Sequence, residues 1–217
     1  MRHFHLLKLA NQFLTLANKL PENTDNLKKI LSNIDDLNTF NSRIDYAEKN
    51  LKHLSSGSSR IVYLTNKDTV IKLAKNEKGL AQNKAECQSK VKCKYINKIL
   101  DCSKDYLWVE SPFLEKITEK DFEELTGFSF KDFEKMIDST LESKNSANIK
   151  EITKVTKSDF FKEIINAAKN LQLMSGDLTR ISSWGTKDNI PILIDSGLNK
   201  QVYQKYYKSD SSKSSSS

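Results

Sequence analysis

The run Arg60-Ile61-Val62-Tyr63-Leu64-Thr65-Asn66-Lys67-Asp68-Thr69-Val70-Ile71-Lys72-Leu73 decides how the rest of the chain is read. Two stretches rich in β-branched and apolar residues flank the polar cluster Thr65-Asn66-Lys67-Asp68. Such side chains suit a pleated, half-buried surface, and a four-residue polar connection suits a hairpin. The pattern predicts two antiparallel strands. Lys72 is the odd residue, a charge inside an apolar strand. It is either an edge-strand gatekeeper against aggregation or a fixed positive charge with a task.

Working outward, Leu54-Ser55-Ser56-Gly57-Ser58-Ser59 reads as a small-residue turn leading into the first strand. Residues 76–94 are polar and helix-compatible, with Glu86 fourteen residues beyond Lys72. Residues 96–100 and 106–110 read as two further strands around an Asp101–Asp105 turn, the second stopped by Ser111-Pro112. Residues 118–125 and 129–141 carry acidic first turns, favourable at a helix N-terminus. The stretch 158–173 is the strongest helix prediction: Ser158 can cap it, and Phe161, Ile164, Ile165, Ala168 and Leu171 fall on one face. Ser175-Gly176-Asp177-Leu178 follows it, and a buried strand, Ile190-Pro191-Ile192-Leu193-Ile194, runs into Asp195-Ser196-Gly197. Toward the start, apolar residues recur at helical spacing from Phe4 to Ala17 and from Leu27 to Leu37. The Ser/Lys tail 208–217 has nothing to bury and is expected to be disordered.

Composition sets bounds. The chain has 217 residues, 37% hydrophobic and 29% charged, enough to bury a core and too polar for a membrane bundle. No apolar run approaches the ~18 residues of a bilayer span, and the start does not read as a secretory signal, so a cytoplasmic location is expected. Cys87, Cys93 and Cys102 form no C-x-x-C pair; reduced buried thiols are expected and a structural zinc site is not. The net charge of +7 fits a solvated surface or a phosphate-bearing partner, nucleotide or nucleic acid.

A turn with Gly57, Ser58 and Ser59, a strand lysine, a helix glutamate, Asp177 after a long helix and Asp195-x-Gly197 after a strand occur in one order, with the two aspartates 18 residues apart. In this order the chain resembles the protein-kinase-like fold, especially its small aminoglycoside-phosphotransferase-like members. The resemblance spans about residues 54–200. The run Gly176-Asp177-Leu178-Thr179-Arg180 with Trp184-Gly185 and a late D-x-G also resembles short kinase-like chains of tailed phages.

The resemblance implies an α+β fold with a β-rich nucleotide-binding lobe and hinge (54–113) and a truncated helical lobe (114–207); outside it, apolar periodicity reads an N-terminal helical extension (1–53), and composition reads the tail (208–217). It implies ATP and Mg²⁺ as cofactors. Lys72 and Glu86 would position phosphates, with Asp177 as base or orienter. Gly57, Ser58, Ser59, Glu110 of the hinge and Arg180 would contact nucleotide, and Asp195 and Ser182 would hold the metal. The chemistry is sound on its own terms. Phosphoryl transfer needs neutralised charge and in-line placement, a paired lysine supplies the first, and carboxylate oxygens suit Mg²⁺.

There are departures. A single glycine remains in the phosphate-loop position, Ser182 stands where the family has a metal-binding asparagine, and Ser175-Gly176 precede Asp177 in place of the usual histidine. Two functions are therefore expected in competition: transfer of a phosphoryl or adenylyl group to an unknown acceptor, or a catalytically inactive pseudokinase acting as a protein-interaction module. Nucleic-acid binding through scattered lysines is a third, less favoured reading.

Overall fold

A computed structural model of the protein describes residues 24–65, 68–142 and 153–208. The helical reading of residues 4–17 and the tail beyond 208 lie outside them. The α+β expectation is met. The described residues divide into two compact units, those up to Asn83 with 100–113, and 84–99 with those from Leu114 on.

The first unit is a five-stranded antiparallel sheet backed by two helices. Its strands are β1 (Lys52–Ser56), β2 (Arg60–Leu64), β3 (Thr69–Ala74), β4 (Asp101–Cys102) and β5 (Trp108–Pro112), in the order β1-β2-β3-β5-β4. The predicted hairpin is present: Val62 lies opposite Lys72, and Tyr63 opposite Ile71. Lys72 is not on an edge, because β3 is flanked by β2 and β5. The gatekeeper reading therefore fails. Two segments differ from expectation. Part of the predicted small-residue turn is strand β1, and the expected 101–105 turn begins as the short strand β4.

Cross-strand pairs fix which side chains share a face, because side chains alternate along a strand. Ile61, Tyr63, Ile71, Leu73 and Trp108 lie on one face. There they form a hydrophobic cluster with Leu27, Ile30, Leu31 and Ile34 of α1 (Thr24–Asp36) and with Ala47 of α2 (Phe40–Asn50). Apolar spacing in α1 predicted such a partner surface, since short helices are marginal alone. Three polar ties fix the seam. Trp108 Nε1 donates to Asp35 at 2.8 Å, Tyr63 Oη donates to Glu48 at 3.1 Å, and Asn33 Nδ2 donates to Tyr46 Oη at 2.6 Å.

The second unit is mostly helical. It holds α4 (Glu119–Thr126), α5 (Phe130–Leu141), α6 (Thr153–Lys157), α7 (Asp159–Leu171), the short α8 (Ser175–Leu178) and α9 (Lys200–Tyr206), with a small sheet of β6 (Glu115–Lys116), β7 (Trp184–Lys187) and β8 (Ile190–Leu193). The predicted cap Ser158 is in place, accepting from the third-residue amide of α7. Thr118 and Asp121 form a capping box at α4, and Ser129 accepts from the third-residue amide of α5. Gly127 ends α4 in the left-handed conformation at φ 78°, which a glycine adopts without steric cost. The core is aromatic: Phe122, Phe133, Phe160 and Trp184 pack with ring centroids 5.2 to 5.7 Å apart.

Residues 96–100 do not form the expected strand. Ile96 instead makes a parallel bridge to Leu193, with Asn97 N–H to Leu193 O at 2.9 Å and Leu193 N–H to Tyr95 O at 2.8 Å. Cys93 is a free, half-buried thiol whose pKa burial pushes up. Cys87 and Cys102 are disulfide cysteines, so the expectation of three reduced thiols is corrected for them.

Candidate functional site

Helix α3 (Glu77–Cys87) carries Asn83, which belongs to the first unit, and Glu86, which belongs to the second. In the first unit, Lys72 is 3% exposed at the middle of β3. A charge at that depth must be met by partners other than bulk water. Its backbone is held by Asn83, which is fully buried. Asn83 Nδ2 donates to Lys72 O at 3.3 Å, Tyr106 O at 2.9 Å and Leu107 O at 3.3 Å, while its Oδ1 accepts from Arg60 at 3.2 Å. One amide thus ties β2, β3 and the turn before β5 together. Sequence reading missed it, because an asparagine inside a polar helix looks like surface.

The loop with Gly57, Ser58 and Ser59 joins β1 to β2, and Gly57 N–H closes it on Arg60 O at 2.8 Å. Two of its carbonyls are held from the β3–α3 junction: Lys75 Nζ donates to Gly57 O at 3.0 Å and Asn76 Nδ2 to Ser58 O at 3.0 Å. Ser59, buried, donates to Gln82 at 2.9 Å. The glycine that matters sterically is Gly79 and not Gly57. A methyl on Gly57 would meet only ordinary contact with Arg60 O at 3.7 Å. On Gly79 it would run into the Ser59 carbonyl and lie 3.0 Å from Ala74 Cα. Close approach of helix to loop demands glycine there.

Glu110 lies opposite Ile71, and its carboxylate accepts from Thr69 Oγ1 at 2.8 Å. It is therefore on the helix-backed face, away from the face that carries Lys72. The structure does not bring the Glu110 side chain together with Lys72.

The second unit gathers the acidic residues. Glu86, 2% exposed, accepts the backbone N–H of Ser196 at 3.3 Å. The D-S-G segment folds on itself, with Gly197 N–H donating to Asp195 Oδ1 at 3.0 Å. A few residues earlier, Ile194 N–H donates to Ser183 O at 2.8 Å. This places the turn Ile181–Ser183 beside the strand that delivers Asp195. Trp184, fully buried, donates from Nε1 to Leu178 O at 2.9 Å and so fixes the end of the short helix holding Asp177. This tryptophan both packs in the core and shapes the loop.

Asp177 is 9% exposed and paired with Arg180, whose Nε also donates to Gly176 O at 2.8 Å. Arg180 is thus engaged with the aspartate loop itself. Ser182 is exposed on the adjoining turn. At the first residue of α8, Ser175, opens a cavity of about 290 Å³, lined also by Glu142, Lys169, Gln172, Met174 and Lys200 among others; Asp177 does not line it. Ser175 Oγ donates to Glu142 within it.

Among the described residues no group of three or more His, Cys, Asp or Glu side chains is placed to hold a metal ion. Mg²⁺ asks for less: one or two carboxylates, with phosphate and water completing an octahedron. Asp195, oriented by Gly197 N–H, fits a cation that arrives with a nucleotide.

No family model matches the chain, and no curated protein does. Solved structures similar to it include a streptomycin–ATP–APH(2″)-IIa ternary complex, with 16% identity and a TM-score of 0.32 over 74% of this chain and 71% of that one. Another is an ADP-bound aminoglycoside phosphotransferase, APH(2″)-Ib, with 16% identity and a TM-score of 0.34 over 73% of this chain and 69% of that one. A gentamicin–APH(2″)-IIa complex overlaps similarly, with 18% identity and a TM-score of 0.33 over 75% of this chain and 70% of that one. These overlaps are too loose to carry an argument about this chain. No helix among the described residues is long and apolar enough to cross a membrane.

Proposed function

We propose that this chain binds ATP on a protein-kinase-like frame and transfers a phosphoryl group to an acceptor hydroxyl. The observation that carries the reading is the buried Glu86 carboxylate bound to the backbone of the D-S-G turn. A helix glutamate with no task beyond solubility would sit on a solvated face. Here it reaches the one segment the sequence marks for metal and phosphate. Lys72, on a central strand and buried, is the matching fixed cation.

In this reading Lys72 and Glu86 orient the phosphates and Asp177 accepts the acceptor's hydroxyl proton. The acceptor oxygen then bonds to the γ-phosphorus as the β–γ bridging P–O bond breaks and ADP leaves. Asp195 would hold Mg²⁺, which supplies charge neutralisation. The cavity at Ser175, two residues before Asp177 and lined by both acidic and basic side chains, is the proposed acceptor site.

A second reading keeps nucleotide binding and drops turnover. It draws on the Arg180 ion pair at Asp177 and on the exposed Ser182 in the metal-asparagine position. Labelled ATP separates the two. Turnover that Asp195→Ala abolishes supports the enzyme, and binding without turnover supports the inactive module. For either reading, ATP with Mg²⁺ should raise the melting temperature, and Lys72→Ala should remove that rise. No rise at millimolar ATP would sink both.

A further inference from the structure

The cavity at Ser175 is built from segments far apart in sequence, and backbone bonds fix their places. Gln172, which ends α7, sits in the left-handed region at φ 55°, so the chain turns sharply there. Its carbonyl accepts from Lys200 N–H at 2.9 Å, and Leu173 forms an antiparallel bridge with Asn199. The start of α9 is thereby laced to the end of α7, and Lys169 and Lys200 line the same cavity. The end of α5 contributes Glu142.

The charges of this lining are unequal. They are Glu142, Lys169 and Lys200. The carboxylate of Glu142 is already engaged, since Ser175 Oγ donates to it. Neither lysine ammonium has a hydrogen-bond or ion-pair partner among the described residues. Leu141, Leu173 and Met174 add apolar wall. A volume of about 290 Å³ lies at the lower end of ligand pockets and suits a molecule of monosaccharide size. Two unpaired ammoniums in one small cavity favour an anion, and a phosphate monoester, with a charge of about −1.5 to −2, matches them. Hydroxyls on the rest of such a ligand can donate to the Glu142 carboxylate. An amine-bearing acceptor would meet like charge instead.

We propose that the acceptor is a phosphorylated polyol of monosaccharide size, whose phosphate is held by Lys169 and Lys200. This rests on the reading of the cavity as the acceptor site. The hydroxyl that takes the new phosphoryl group belongs to the same molecule, so the products are a bisphosphate and ADP.

Calorimetry on the full chain without nucleotide tests the cavity alone. The probes are glucose 6-phosphate and glycerol 3-phosphate, with glucose, glycerol and inorganic phosphate as their separate components. At least one ester should bind roughly tenfold or more tighter than its uncharged parent and than inorganic phosphate. Lys169→Gln and Lys200→Gln should each weaken that ester roughly fivefold or more, and added salt should weaken it too. Lys187→Gln, at an exposed lysine outside the cavity, should leave it unchanged. Both cavity lysines are exposed, so the melting temperature without ligand should stay the same in each variant. The proposal is overturned if neither ester binds, if neither binds tighter than its parent and inorganic phosphate, if the cavity variants lose nothing, or if Lys187→Gln loses as much. Each of those results leaves nucleotide binding standing. An ester that binds as expected to a protein whose melting temperature ATP does not raise keeps the phosphate site and overturns its role as the acceptor site.

Discussion

The two units hold their function-bearing residues by opposite means. In the first, Lys72 sits in a regular ladder, and its place follows from register with β2 and β5. In the second, Asp177 sits in the one-turn helix α8 and Asp195 in a turn after β8, held by bonds that include Trp184 Nε1 to Leu178 O and Gly197 N–H to Asp195, with an aromatic core beneath. A ladder tolerates loss of a single contact, because every neighbour repeats the same instruction. A loop held by a tryptophan N–H does not. The difference teaches where mutation should act locally and where it should act broadly.

Trp184→Ala should break the second unit hardest. It empties the middle of the Phe122, Phe133 and Phe160 cluster and leaves Leu178 O without its donor. Aromatic truncations of this kind cost about 3–5 kcal/mol, which urea unfolding would read. A loss under about 1 kcal/mol would mean the loop is held some other way. The matching break in the first unit is Asn83→Ala. It removes a buried amide that bonds three carbonyls and Arg60, and a loss of about 2–3 kcal/mol is expected by the same measurement. If Asn83→Ala were near neutral, the ladder alone would suffice to place Lys72.

The helix-backed face offers a pH test. Tyr63 is fully buried, and its phenol pKa is pushed well above the ordinary value, first by burial and then by the hydrogen bond and charge of Glu48. The unfolded phenol ionises near pH ~10. The stability this group contributes is therefore intact below about pH 10 and is lost as pH rises from there through the higher folded value. Absorbance titration should show a tyrosine that ionises only as the protein unfolds, and Tyr63→Phe should remove that late phase. Ionisation of all tyrosines together near pH ~10 would contradict the burial.

The smallest effect is expected at Gly57, whose substitution by alanine should change stability by less than about 0.5 kcal/mol. Gly79→Ala should cost more, because the Ser59 carbonyl must move. Measured side by side, the two substitutions show which glycine the loop depends on.

Much of this was legible in the residues. The hairpin from Arg60 to Leu73, the cap Ser158, and the strand before Asp195 all announce themselves through local pattern. Other features did not. Asn83 and Gly79 look unremarkable in a polar helix, and their importance lies in what packs against them. Residues 96–100 have strand composition, but Ile96 bridges to Leu193 of β8 while Leu100 N–H donates to Glu110 O of β5, so no continuous strand forms. Glu110 is next to Ser111 in sequence, yet alternation puts the two side chains on opposite faces.

By itself the sequence determined the α+β class, the order of the candidate residues and the charge that each contributes. These depend on local propensity and periodicity, which a few neighbouring residues encode. The tertiary structure decided that Glu86 meets the Ser196 backbone, that Arg180 is engaged by Asp177, and that Ser111 is buried without a partner. Those facts join residues up to 110 positions apart, and only packing, by closing the chain over such distances and excluding water, selects which polar groups meet and which are left waiting.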